Sequence, residues 1–240
     1  MTPQNKRISG HNNSREPKSV RETKTLIDSA YRKIKQMIFQ QELNPGQRLI
    51  YRDLSQMLNM SRTPIINALN RLEQEGYVIS ESFRGFYVKP VDLQEAWDLF
   101  GVREALEAYA VEQAIDRAEP DEMEVLEEKL RKHEAYMPPH YDKKKAALEA
   151  EFHLQIAAMA KNKVLEKLLR TNFEHIYLRF DLIPMNPERM PLAVQEHHDI
   201  LDKIKKKDLA GAIETIRLHV RKGRNATVAG ISKEKEPVQI

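Results

Sequence analysis

Apolar positions recur with a helical period over most of this chain. Ile27, Tyr31, Ile34 and Met37-Ile38 share one helix face and stop before Asn44-Pro45-Gly46, a turn signal. A short second helix is expected from Tyr51 to Asn59, with Leu54, Met57 and Leu58 inward. A third runs from Ser61 to Gly76, where Ile65, Ala68, Leu69 and Leu72 fall at i, i+3, i+4 and i+7 and form a buried stripe. Ser61 suits the N-cap, because its hydroxyl can accept from a first-turn N–H, and Pro64 sits where its missing N–H costs nothing. Two short strands, 77–80 and 85–88, then flank Glu81-Ser82-Phe83-Arg84.

Past Lys89-Pro90-Val91 the pattern changes. Asp92-Leu93-Gln94-Glu95 opens a run of six helices, at about 92–117, 121–136, 142–160, 163–182, 188–206 and 208–228. Glu119-Pro120, Pro138-Pro139 and Pro184 to Pro187 separate several of them. The expected organisation is a disordered basic arm over 1–22, a first domain over 23–89, a linker at 90–91, a helical domain over 92–228 and a flexible tail over 229–240. The fold class is mainly α: a winged helix-turn-helix followed by an all-helical bundle.

Composition narrows the partners. The chain has 240 residues and no cysteine, so disulfides and thiolate metal sites are excluded. No stretch approaches the roughly 18 consecutive apolar residues of a membrane span, and the polar first residues lack a secretory h-region. A cytoplasmic protein without membrane contact is expected. Residues 1–90 carry a net charge of +7 and the remainder −4, so the front half is the part suited to a polyanion.

The third helix concentrates the chemistry for that partner. Free N–H groups and the helix dipole at its start favour a phosphate, and Arg62 and Thr63 add donors beside Ser61. Its outer side carries Arg62, Thr63, Ile66, Asn67 and Asn70; the two asparagines are possible readers of adenine, with solvated polar positions as the plain alternative. The stretch from Ala30 to Pro90 resembles the DNA-binding domain of GntR-type bacterial transcription regulators. The resemblance rests on Asn-Pro-Gly-Gln-Arg-Leu, Arg-Asp-Leu-Ser, Ser-Arg-Thr-Pro, Ala-Leu-Asn-Arg-Leu, Glu-Gly-Tyr and Arg-Gly-Phe-Tyr-Val. It implies a homodimer on a pseudo-palindromic double-stranded operator. The implied contacts are Arg52, then Ser61, Arg62 and Thr63, then the wing from Ser82 to Gly85, with Arg84 and Gly85 at its end. The family usually has Val-Arg-Glu-Ala-Leu where this chain has Ile65-Ile66-Asn67-Ala68-Leu69, so position 66 can only pack, for instance on a thymine methyl, and a different operator is expected.

In the second half, Glu149 and His153 are four apart on one helix, with His197 and His219 on later ones. Three imidazoles and a carboxylate inside a bundle suit a divalent first-row metal, although lone histidines are more often hydrogen-bonded core or surface residues. His11, His133 and His140, in the arm or near helix ends, are expected to do nothing. Residues 92–228 resemble the FCD effector domain of the FadR subfamily, in its six-helix VanR-like branch. The traces are "FGVREALEAYAVEQAI", "EAEFHLQIAAMAKN" and "EHHDILDKIKKKDLAGAIETIRLHV". The resemblance implies Glu149, His153, His197 and His219 as ligands of Zn, Ni, Mn or Fe, with Glu standing where the family has Asp. His198 points some 100° away from His197. A small organic-acid effector beside the metal is implied, with Arg103 as first clamp and Tyr177 and Arg179 as weaker candidates; for Arg103 the alternative is a surface pair with Glu107.

The reading is a ligand-responsive transcription regulator, a repressor or an activator, and not an enzyme. Two alternatives stand beside it. One is a metal-dependent enzyme using the histidine cluster, although His-Glu-x-x-His, Glu-x-x-His, Gly-rich phosphate loops and Gly-x-Ser-x-Gly are absent. The other is a metal-structured oligomerisation module with no effector.

Overall fold

The computed structural model describes the backbone of residues 18–180 and 188–234 and the side chains of residues 25–177 and 188–232. Most of the expected arm, the Pro184 to Pro187 breaker and the chain end lie outside the described residues. The chain forms two compact units, Met1–Lys89 and Pro90–Ile240.

The first unit contains α1 (Lys18–Phe39), β1 (Arg48–Leu49), α2 (Tyr51–Leu58), α3 (Arg62–Gln74), β2 (Val78–Glu81) and β3 (Gly85–Val88). Residues 18–22, expected in the arm, are helical. From Lys18 the chain has no Gly or Pro until Pro45, and Lys, Arg and Glu are good helix formers. Ile65, Ala68, Leu69 and Leu72 are fully buried and set α3 against α1, where Ala30 and Ile34 are fully buried too. Burying each large aliphatic side chain contributes about 1.5–3 kcal/mol. Met57 is exposed rather than inward, since the eight-residue α2 packs mainly on α3 and can bury only a narrow stripe.

The turns are set by backbone chemistry. Asn59 adopts φ 50° after α2, and Met60 N–H reaches back to the Ser55 carbonyl at 3.1 Å. Gly76 adopts φ 77° after α3, with Tyr77 N–H donating to Leu72 O at 2.8 Å and Gly76 N–H to Glu73 O at 2.9 Å. This left-handed closure needs glycine and ends α3 just before the wing. The sheet is antiparallel in the order β1-β3-β2, with Leu49 opposite Phe86 and Ile79 opposite Tyr87. β1 has only two residues, too few for an alternation to be visible in the sequence.

The second unit is helical throughout the described residues: α4 (Leu93–Arg117), α5 (Pro120–Ala135), α6 (Lys143–Met159), α7 (Lys163–Phe180), α8 (Arg189–Lys205) and α9 (Leu209–Glu234). Asp92 caps α4 by accepting from Gln94 N–H, and Asp142 caps α6 by accepting from Lys145 N–H. A reciprocal pair between Glu119 and Glu122 starts α5, and Asn162 accepts from Val164 and Leu165 at the start of α7. α4 packs on α6, α7 and α9, while α5 packs on α6 and α8. The core includes Val111, Leu126, Leu130, Phe152, Ile156, Leu169, Phe173, Ile200 and Ile216. α9 continues past Val228 because Ile231 is buried with Phe100, Ile176 and Val220.

Candidate functional site

Two places concentrate polar chemistry. In the first unit the stripe that buries Ile65, Leu69 and Leu72 leaves the opposite side of α3 in water. Arg62, Thr63, Asn67 and Asn70 are exposed there and Ile66 is half-buried. Ser61 stands at the N-cap, but its side chain makes no capping bond. The hydroxyl is therefore left to solvent, and the first-turn N–H groups lack that side-chain acceptor. The Arg62 guanidinium lies 5.0 Å from the Tyr51 ring centroid, and the Arg52 side chain is 82% exposed. Ile50, Tyr51, Arg52, Ser55 and Arg62 line an open cleft of ≈ 410 Å³. Asn67 donates to the Thr63 carbonyl at 3.1 Å, which holds its amide along the helix. In the wing, Arg84 is exposed and pairs loosely with Glu81 at 3.4 Å, and Gly85 adopts φ 99°. Phe83, at φ 64°, is fully exposed.

The second place is inside the helical unit. On α6 the buried stripe reads Lys145, Glu149, Phe152, His153, Ile156, so carboxylate and imidazole occupy core positions. His197 stands in the equivalent stripe of α8 and His219 in that of α9. Donor atoms of Glu149, His153, His197 and His219 all lie within 4.8 Å of one another. His153 Nε2 and His219 Nε2 approach Glu149 Oε1 at 3.4 and 3.2 Å, and His197 Nε2 approaches Oε2 at 3.5 Å. Donors held about 2.1 Å from a single ion are about 3.0–3.4 Å apart, so these spacings fit a divalent cation. Both ring nitrogens of His197 lack a hydrogen-bond partner, a costly state for a buried imidazole that coordination would relieve. Outer carboxylates face the rings from behind. Glu107 Oε2 is 2.6 Å from His153 Nδ1, and Glu196 Oε2 is 2.8 Å from His219 Nδ1, an arrangement that orients metal-binding imidazoles. His198 is exposed beside Glu134, away from the cluster.

Electrostatics favour the ligating forms of Glu149 and His197 and the protonated form of His153. Burial pushes the Glu149 carboxyl up, but the surrounding imidazoles, His197 first and then His133, His153 and His219, outweigh it and hold it well below the usual range. Burial outweighs the attraction of Glu149 at His197 and keeps that imidazole neutral. His153 is also depressed by burial, yet Glu107 reverses the sign and raises it. Glu107 and Glu196 are each lowered to about 2 despite burial, Glu107 chiefly by Arg103 and Glu196 chiefly by His219.

Arg103 is not at the surface. Its Nε donates to Glu107 at 2.5 Å and its Nη2 to Glu149 at 3.3 Å, with the guanidinium 4.5 Å from the Phe173 ring centroid. The pair with Glu107 forms as the spacing suggests, but it is buried. Tyr177 Oη is buried without a partner, and the Arg179 side chain lies outside the described residues. A cavity of ≈ 30 Å³ adjoins the cluster, lined among others by His133, Lys145, Glu149, Arg189 and His219. Arg103 and Tyr177 are not among its described lining residues. Arg189 donates to Glu196 through Nη2 at 2.5 Å, while its Nε and Nη1 are buried without partners.

Residues 26–88 match the family described as bacterial regulatory proteins, gntR family, and residues 98–222 match the FCD domain. The chain belongs to the GntR family. It is a DNA-binding transcription regulator with an FCD effector domain. Its relatives include the HTH-type transcriptional regulator YdhC of Bacillus subtilis, 28% identical over 190 residues covering 79% of this chain and 85% of that protein. The Nta operon transcriptional regulator of Aminobacter aminovorans is 32% identical over 132 residues, 55% of this chain and 62% of that one. The fold is similar to that of McbR/YncC from E. coli, with a TM-score of 0.64 at 22% identity over 88% of this chain and 99% of that one. No described helix is long and apolar enough to cross a membrane.

In this GntR-family chain the cavity lining includes residues that the sequence pattern did not single out, His133 and Arg189 among them. His133, expected to do nothing, is fully buried with Nε2 3.4 Å from Glu149 Oε2. A signal existed: His133 continues the stripe of Leu126 and Leu130 at i+7 and i+3, so it faces the core. Arg189 carries a weaker sign, a cation in the first turn of α8, where the helix dipole disfavours it. The buried Arg103 gives a direct test of packing. Arg103→Ala strips the buried Glu107 of its guanidinium partner and leaves it only the His153 ring among its described partners, so the metal-free protein is expected to lose about 3 kcal/mol of unfolding free energy. Urea denaturation by circular dichroism measures this, and a decrease below about 1 kcal/mol would show that water replaces the guanidinium.

Proposed function

We propose that this regulator is a cytoplasmic homodimer on a pseudo-palindromic operator, acting as a repressor whose grip on DNA is set by a small carboxylate bound beside a divalent metal. The observation that carries the reading is the convergence of Glu149, His153, His197 and His219 next to a cavity containing Arg189. These four residues would hold the metal, which would supply a Lewis-acidic anchor for a carboxylate. Arg189 meets the same carboxylate with Nε and Nη1, the atoms left without partners, and Lys145 adds positive charge from α6. Arg103, committed to Glu107 and Glu149, positions Glu149 rather than the effector. At ≈ 30 Å³ the cavity holds about one water molecule, so a ligand must separate α5, α6, α8 and α9 to enter. That movement makes binding favour one bundle arrangement over another, and operator affinity then follows the shifted population.

In the first unit the DNA face is Arg52, Ser61, Arg62, Thr63, Asn67 and Asn70, with Ile66 packing on a thymine methyl and Arg84 and Gly85 reaching the backbone from the wing. Arg62 and the open first turn of α3 take phosphates, and the asparagines read bases.

The small cavity favours a second reading, a metal-structured dimerisation module without effector. A thermal-shift screen of small organic acids on metal-loaded and chelated protein separates the two. The first reading expects an acid that raises Tm only with metal present and changes operator affinity; Arg189→Gln then removes the shift while retaining the metal. If metal stabilises the protein but no acid shifts Tm or DNA affinity, the second reading holds.

A further inference from the structure

We propose that His133 is a fifth and outermost protein donor of the metal centre, exchangeable with an incoming ligand; this rests on the metal reading above. The Glu149 carboxylate is surrounded on both oxygens. Oε1 faces His153 and His219, whereas Oε2 faces His197 at 3.5 Å and His133 at 3.4 Å. The His133 ring is 4.7 Å from that of His197, nearly edge-on at 68°. It is fully buried, and neither ring nitrogen has a hydrogen-bond partner. A leucine would continue the stripe of Leu126 and Leu130 without stranding polar atoms, so packing alone does not account for an imidazole here.

The local structure holds the ring in place. His133 lies in the last turn of α5, and its carbonyl accepts from Lys145 Nζ at 2.5 Å. A lysine from α6 thus neutralises the end of α5 and fixes the approach of His133 to Glu149. His133 stands outside the four residues whose donors lie within 4.8 Å of one another, and it lines the cavity with Glu149 and His219. Of the residues around Glu149 it is thus the one that both lines the cavity and lies outside the tight group of four, so it is the donor we assign to exchange with a molecule entering from the cavity. Replacing it frees the end of α5, which couples ligand entry to the packing of α5 on α6 and α8.

The test uses the full-length protein loaded with Co(II), whose visible bands report coordination. His133→Ala is expected to weaken Co(II) affinity about tenfold or more in chelator competition and to alter the band shape. Free imidazole should restore the wild-type spectrum in His133→Ala, a rescue that a purely structural role would not give. His133→Phe preserves volume and carries the same comparison if the alanine variant unfolds. Acetate added to the wild type is expected to move its spectrum away from the imidazole-rich form. Wild-type affinity and spectrum in either folded variant would overturn the proposal alone. Failure of the wild type to bind stoichiometric Co(II), or full binding by His153→Ala, would overturn the metal reading with it.

Discussion

Replacing Arg52 and Arg62 together with glutamate is expected to weaken operator binding by about 100-fold or more while the helices and the dimer remain. Both side chains stand in solvent beside the start of α3, and neither is needed for the packing of Ile65, Leu69 and Leu72. Fold stability should thus change little, since exposed charges contribute at most about 1 kcal/mol. Each arginine–phosphate pair removed lowers the dependence of log affinity on log salt by about 0.9. Removal of both pairs therefore flattens the slope by about 2 for each DNA-binding unit. A fragment selected from random duplexes by the wild-type protein provides the probe, and fluorescence anisotropy at several salt concentrations gives both quantities. Undiminished binding by a folded double variant would sink the assignment of this face to DNA. Asn67→Ala has a different expected signature: altered preference at one base position with an unchanged salt slope, because a hydrogen bond to a base releases no counterion.

The second large effect is on stability. Removing the metal with a chelator, or its donor with His153→Ala, is expected to lower Tm by about 10 °C. A site saturated at about 1,000 times its Kd contributes about 4 kcal/mol, and each kcal/mol moves a domain of this size by about 2–4 °C. The direction of the pH dependence follows from the donors. His153 is raised above its ordinary value, so in the metal-free protein its protonated form contributes stability at low pH, which fades as pH rises through the raised value. The metal needs the neutral ring, so metal stabilisation runs the other way: it is full at high pH and declines progressively as pH falls below the raised value, as protons compete with the metal for the ring. Glu107 and Glu196, lowered to about 2, add stability that is present above about 4.5 and disappears only as pH falls toward 2. Acid titration should therefore show metal release first and collapse of the metal-free bundle later. Calorimetry across pH with and without chelator resolves the steps, and a single coincident transition would mean that no metal contributes.

Much of this architecture is readable from local chemistry. The stripe Ile65, Ala68, Leu69, Leu72 dictates which side of α3 faces water, and Gly76 dictates where that helix stops, because both depend on near neighbours in the chain. The caps at Asp92, Asp142 and Asn162 act within three residues and are equally visible. Glu149 and His153 share a helix face by spacing alone. Other features depend on what packs across the core. Arg103 and Glu107 are four apart on any helix, but only the approach of α6 buries the pair and adds Glu149. The Ser61 hydroxyl could cap or face solvent, and the observed conformation leaves it uncapped.

Residue type and spacing were thus enough to define the periodic elements, the basic first unit and the set of side chains able to take a metal or a phosphate. Three outcomes needed the folded chain: that His133 joins Glu149, that Arg189 rather than Arg103 faces the cavity, and that this cavity is small. Each depends on distances between helices far apart in the chain, and such distances are set by the packing of whole helices rather than by any one segment.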